Sequence, residues 1–266
     1  MLVSGQAVAT DPLLMQYASK SLSTFSQDTT PSGLAFSSDG TKAYVVGTAS
    51  DTVYQYTLTT AWDISTGSYA SKSMSVAAQE TAPTGLAFSS DGTKAYVVGE
   101  ANDTIYQYTL TTAWDISTGS YASKSLSVAA QETLPSGLAF SSDGTKAYVV
   151  GTASDTVYQY TLTTAWDIST GSYASKSMSV AAQETAPRGL AFSSDGTKAY
   201  VVGTGAIIYR YTLSTAWDIS TGSYLNIFRS VSDQASSPTD LTVITGVNFA
   251  CVLHSFVLYQ YQIFDS

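Results

Sequence analysis

Between Gly33 and Leu58 apolar residues gather in three short runs, GLAF (33–36), KAYVV (42–46) and TVYQYTL (52–58), with polar residues between them. Each is rich in Val, Tyr, Phe or Thr, and Ser-Ser-Asp-Gly and Gly-Thr-Ala-Ser-Asp separate them. Short runs of such residues predict β-strands, and the separators predict tight turns. Ser and Asp side chains bond the local backbone while Gly accepts positive φ, so Ser-Ser-Asp-Gly suits a hairpin. A fourth run, SYASKSMSV (68–76), follows the longer link TTAWDISTG and predicts a fourth strand. No apolar stripe keeps a 3.6-residue spacing for ten residues, so helices are not expected.

The whole pattern recurs. Asp39-Gly40, Asp91-Gly92, Asp143-Gly144 and Asp195-Gly196 are 52 residues apart, and Trp62, Trp114, Trp166 and Trp217 keep that step within one residue. A period of this size marks a propeller, solenoid or array. From Ala9 the N-terminus already reads as the back end of a repeat: with Tyr17 over Tyr69, Asp11 falls over Asp63, Lys20 over Lys72, Gln27 over Gln79 and Pro31 over Pro83. A fifth, eroded front end starts at Pro238 and lacks the Asp-Gly turn. The expected fold is therefore an all-β, five-bladed propeller of four-stranded antiparallel blades. Its last blade is completed by an N-terminal strand at Met15 to Thr24, which removes the open sheet edge. Residues 1–8 match no other segment and read as a disordered lead-in, leaving 9–266 as one domain. Along each strand small and large residues alternate, Gly33 and Ala35 against Leu34 and Phe36. A small-residue face of one blade is thus expected to receive a large-residue face of the next.

The string GLAFSSDGTKAYVVGTASDTVYQY resembles the YVTN and WD40-like (PD40) propeller repeats, in which an F-S-x-D-G-x-x-x-Y/L-V core marks the first hairpin of a blade. The resemblance covers about half of each unit and implies the fold alone. No Gly-His precedes the Trp-Asp pair, which lies in the link after the third strand, unlike a true WD40 repeat. The blade count is similar to that of the tachylectin-type lectins and of five-bladed glycoside hydrolases, although no motif of either is matched.

Charge narrows the partners. The net charge is −9 and the only arginines are Arg188, Arg210 and Arg229, which argues against nucleic acid or an anionic membrane, since both need a cationic face. No apolar run approaches the ~18 residues of a membrane span, and MLVSGQAVAT lacks the features of a signal peptide. Cys251 is the single cysteine, so no disulfide forms within the chain. With 19 Tyr and few charges, the surface is hydroxyl-rich.

Several residues are candidates for a site. Alternate links of an antiparallel meander share one end of the barrel, so Trp62, Trp114, Trp166 and Trp217 gather beside the Ser-Ser-Asp-Gly turns, with Thr10 at the fifth position. They read either as platforms for stacking sugars or as plugs beneath their blades. The adjoining Asp11, Asp63, Asp115, Asp167 and Asp218 suit Asx-type turns. At the opposite end Gln27-Asp28, Gln79-Glu80, Gln131-Glu132 and Gln183-Glu184 form a ring; six or more oxygens converging on one point would be needed for calcium, so hydrogen bonding between blades is the expectation. Two departures from the repeat stand out: Arg188 where other units have Ser or Thr, and Asp240 where they have Gly. Near one mouth of the channel the pair reads as a small polar site or as a salt bridge. His254 and Cys251 lie in the eroded unit, and one His with one Cys cannot build a zinc cluster or a repeated triad. No catalytic residue, metal site or cofactor is assigned.

These features lead to a non-enzymatic binding or display module, lectin-like, whose repeated shallow sites recognise a glycan or protein surface through avidity. A monomer on an extracellular or virion surface fits that expectation. The alternatives are a purely structural scaffold, and an enzyme with one site at the channel mouth around Arg188 and Asp240. Units two and three differ at only six positions, Glu100/Thr152 and Ser136/Arg188 among them.

Overall fold

The computed structural model describes residues 15–263; the lead-in, Thr10 and Asp11 lie outside them. The chain opens with β1 (Met15–Ser23). Blade one follows as β2 (Pro31–Phe36), β3 (Lys42–Gly47), β4 (Thr52–Leu58) and β5 (Gly67–Ser75), and blade two as β6 (Pro83–Phe88), β7 (Lys94–Gly99), β8 (Thr104–Leu110) and β9 (Gly119–Ser127). Blade three is β10 (Pro135–Phe140), β11 (Lys146–Gly151), β12 (Thr156–Leu162) and β13 (Gly171–Ser179), and blade four is β14 (Pro187–Phe192), β15 (Lys198–Gly203), β16 (Ile207–Leu213) and β17 (Gly222–Ser230). The last three strands are β18 (Asp240–Ile244), β19 (Phe249–His254) and β20 (Val257–Ile263). Each blade is a four-stranded meander, and the fifth has the order β1-β20-β19-β18. The antiparallel pairing of β1 with β20, from Met15 against Ile263 to Ser23 against Val257, closes the ring. The five-bladed all-β propeller expected from the repeats is the observed fold.

The core lies between blades rather than within them. One cluster joins Ala35, Tyr44, Val46 and Val53 of blade one to Leu86, Ala95, Val97 and Tyr108 of blade two. Another joins Leu34, Ala43, Val45 and Tyr56 to Phe249, Cys251 and Leu253 across the closing seam. Neither face is uniformly small or large: a strand that contributes Ala lies beside one that contributes Tyr, so the matching of sizes alternates strand by strand. Each fully buried side chain of this kind stabilises by ~1.5–3 kcal/mol, which a lone small sheet could not gather.

Polar contacts fix the rotation of one blade on the next, and most of them meet at the link after each blade's third strand. The Tyr44 hydroxyl donates to the Trp114 carbonyl at 2.7 Å, and Tyr96 and Tyr148 do the same to Trp166 and Trp217. The Gln55 side-chain oxygen accepts from the Ile116 N–H at 3.0 Å, a bond repeated by Gln107 with Ile168, Gln159 with Ile219, and Gln260 with Ile64. Lysines of the outer strands pair with aspartates of the next link: Lys20 with Asp63 at 2.6 Å, Lys124 with Asp167 and Lys176 with Asp218 at 2.5 Å, and Lys72 with Asp115. A bulge makes this reach possible. In β5 the partners jump from Tyr69 to Lys72, and Ser71 sits at φ 55°; such a bulge re-aims side chains and spoils an exposed sheet edge.

These contacts generate a stability test. Tyr96→Phe keeps the ring but leaves the Trp166 carbonyl without its donor, and about 1 kcal/mol of stability is expected to be lost, read from the urea unfolding midpoint. An unchanged midpoint would remove this bond from the set that holds the blades.

Candidate functional site

The tryptophans belong to the scaffold. Trp62 has φ 61°, its N–H donates to the Gly40 carbonyl at 3.0 Å, and its ring lies against Phe36 and Phe249. Trp114, Trp166 and Trp217 repeat this half-buried arrangement on Phe88, Phe140 and Phe192. The indole also dictates the turn: Gly40 has φ 71°, and a Cβ there would lie 2.3 Å from the Trp62 ring. Each Asp-Ser pair next to it caps a single 3-10 turn, as Asp63 does by accepting from the Ser65 N–H. Burial works against the Asp63 charge, but the Lys20 ammonium and the Ser65 hydroxyl outweigh it and hold the carboxyl below its ordinary range.

The acidic ring at the other end is likewise internal bracing. Asp28, Glu80, Glu132 and Glu184 are buried and tie the loop after the second strand to the loop that enters the blade. Glu132 accepts from the Leu134 and Ala153 N–H groups at 2.9 and 3.1 Å and from the Ser154 hydroxyl at 2.5 Å. Among the described residues no cluster of three His, Cys, Asp or Glu side chains offers a metal site.

One mouth of the channel is different, and it is built from the residue that follows each entry proline. Ser32 donates to the Pro83 carbonyl at 2.6 Å, Thr84 to that of Pro135 at 2.7 Å, Ser136 to that of Pro187 at 2.9 Å, and Thr239 to that of Pro31 at 3.3 Å. These bonds lace neighbouring blades into a ring of hydroxyls. Blade four interrupts the ring with Arg188, whose Nε is buried without a hydrogen-bond partner among the described residues. Its side chain helps line a cavity of about 570 Å³. Glu100 lines the same cavity from blade two, in the turn where other blades carry Thr48, Thr152 and Thr204. Glu100 is exposed as a residue, and partial desolvation of its carboxyl at the mouth raises it above its ordinary value; the Arg188 charge pulls it back in part, while Asp103, Glu80 and Glu132 push it up. His254, from β19, completes the wall. Its Nδ1 is 2.8 Å from the Ser237 carbonyl, which can only accept, so Nδ1 carries the proton and a neutral ring keeps Nε2 as acceptor.

Asp240 does not join them. It opens β18 directly after Thr239, and its side chain lies on the side of the inner channel cavity rather than of the mouth. The expected bridge to Arg188 is not formed. Instead Asp240 accepts from the Leu34 N–H of blade one and from its own neighbour Leu241, both at 2.7 Å. Each equivalent glycine faces the same backbone group of the next blade: a Cβ on Gly85 would lie 3.2 Å from the Leu138 nitrogen. At the closing seam a carboxyl fills that position and helps line an inner channel cavity of about 230 Å³. Cys251 is buried nearby in the seam core.

Among sequences with known families, the model described as lactonase, seven-bladed β-propeller, matches residues 33–165, half of the chain. The chain belongs to this family. As a lactonase-family propeller it closes with five sheets rather than the seven of the description. Two similar solved structures are candidate 6-phosphogluconolactonases from Bacteroides uniformis ATCC 8492 and Bacteroides fragilis NCTC 9343. They share 13% and 14% identity and a TM-score of 0.52, over 76% and 79% of this chain. The chain spans 55% and 56% of their lengths, and at such identity they speak for the fold. No curated protein matches the chain. The resemblance to propeller repeats thus holds at the level of the fold, whereas the lectin-like display module is overturned by a family whose description is enzymatic.

Burial pushes the Asp240 carboxyl up to about 8, against the pull of the Leu241 and Leu34 N–H groups, from an ordinary 3.8. The folded state therefore holds this proton more tightly than the unfolded one, and the associated stability is complete below pH 4 and lost as pH rises to about 8. Asp240→Asn is expected to gain on the parent protein across that window in urea titrations at pH 4, 6 and 8. A stability difference independent of pH would overturn the assignment of a buried, protonated carboxyl.

Proposed function

We propose that the protein hydrolyses a lactone ring in the cavity at the channel mouth. The observation that carries this reading is that the non-repeated residues Glu100, Arg188 and His254, from three different blades, line one cavity in a chain of a family described as lactonases. Repetition explains the scaffold, but it does not explain three departures meeting at one place.

Opening a lactone needs a base for water, a cation for the developing oxyanion, and a proton for the leaving oxygen. Glu100, its carboxyl raised by partial desolvation at the mouth, takes a proton from water as the water oxygen attacks the ring carbonyl carbon. Arg188, with a buried Nε in need of an acceptor, stabilises the tetrahedral oxyanion. When the ring C–O bond breaks, the proton returns from Glu100 to the departing alkoxide, and the product is the open hydroxy acid. The hydroxyls of Thr48 and Thr152 at the cavity wall offer hydrogen bonds to substrate oxygens. His254, fixed by the Ser237 carbonyl, presents Nε2 as a further acceptor.

The repeats supply unusually safe controls, because Arg188→Ser and Glu100→Thr restore residues that other blades carry. Lactone hydrolysis, followed by acid release at constant pH with γ-valerolactone and gluconolactone, is expected to fall by roughly 10²–10⁴-fold in Glu100→Thr and by about 10²-fold or more in Arg188→Ser. Both variants are expected to unfold at the parent midpoint. The parent rate should rise as pH passes the raised Glu100 range. Undiminished turnover in both variants, or no turnover by the parent, would end this reading.

A further inference from the structure

Two aromatic side chains at the rim of the mouth are also unique to one blade. Phe256 belongs to the turn Ser255–Phe256, which joins β19 to β20 where blade one has the longer turn 48–51. Its side chain lines the 570 Å³ cavity and remains 38% exposed. Phe25 is 54% exposed and occupies a position held by Ala77, Ala129, Ala181 and Ser232 in the other units. The two rings meet edge to face with centroids 4.9 Å apart. Their backbones are tied as well, because the Thr24 N–H and hydroxyl both donate to the Phe256 carbonyl, at 2.8 and 3.1 Å. An apolar shelf therefore runs outward from the cavity, held rigidly by the closing strand pair.

The charges at this mouth point the same way. Arg188 is the lysine- or arginine-type cation lining the cavity, and the Glu100 carboxyl beside it feels Asp103, Glu80 and Glu132. A phosphate group on the substrate would bring further negative charge into that acidic field. An apolar chain would cover the two exposed rings and gain from leaving water.

Resting on the reading of the mouth as a lactone-hydrolysing site, we infer that its substrate is an uncharged lactone bearing an apolar chain, with the ring at Arg188 and the chain laid across Phe256 and Phe25. These two phenylalanines are then specificity determinants that take no part in the chemical step.

Three probes decide this: γ-valerolactone, γ-decanolactone and phosphorylated gluconolactone, each measured as kcat/KM. The longer chain is expected to raise kcat/KM by about tenfold or more over γ-valerolactone, the effect of even one methylene held in an apolar contact, and the phosphorylated lactone is expected to be the poorest. Phe25→Ala, which restores the residue of other blades, should reduce the advantage through KM while leaving γ-valerolactone unchanged, and adding Phe256→Ala should erase the advantage. Preference for the phosphorylated lactone, or a decanolactone advantage that survives both variants, would overturn the chain assignment and leave lactone hydrolysis standing. Failure of every lactone to react would remove the proposed function and this assignment together.

Discussion

Everything in this molecule depends on how the link after each third strand seats on the preceding blade. A tyrosine hydroxyl, a glutamine oxygen and a lysine ammonium from one blade reach the Trp carbonyl, the Ile N–H and the Asp carboxylate of the next. The apolar clusters beneath them supply the free energy of association but are non-directional. The three polar contacts fix the angle, and the angle fixes where the inner strands, and so the mouth, come to lie. Because all three groups recur every 52 residues through blades one to three, one local solution is applied at three successive junctions.

The architecture was legible for that reason. Strand runs, turn chemistry and the offset of Tyr17 over Tyr69 lead directly to five sheets and to closure by the first strand, because backbone pairing follows from period and turn alone. What period cannot convey is direction out of the sheet. Trp62 reads as an open platform or, by preference, a plug until Gly40, at φ 71° and pressed by the indole, shows which side the ring takes. Arg188 and Asp240 looked like partners at one entrance. The meander sends the first to the cavity and the second toward Leu34 of the neighbouring blade.

Glu100 was visible as one difference among six between two nearly identical units, with nothing in the sequence to rank it above Asn102 or Ile105. Its importance comes from facing the same cavity as Arg188, which belongs to a blade that is not its neighbour. His254 and Phe256 were hidden by erosion of the fifth unit, where alignment to the repeat loses its guidance. A useful signal existed: in a chain of near copies, the departures that change charge or size at loop positions on one end of the barrel deserve to be read together.

The pairing of Met15 with Ile263 gives the fifth blade an unusual history during synthesis. Within the propeller its outer strand is made before the other four-strand units and its adjacent strand after them, so β1 spends the synthesis of the intervening blades with no neighbour on the ladder. Four blades can stack in order behind the ribosome while the fifth does not yet exist. The wall that holds His254 and Phe256 comes into being only when β20 meets β1, so one pairing completes both the sheet and the cavity.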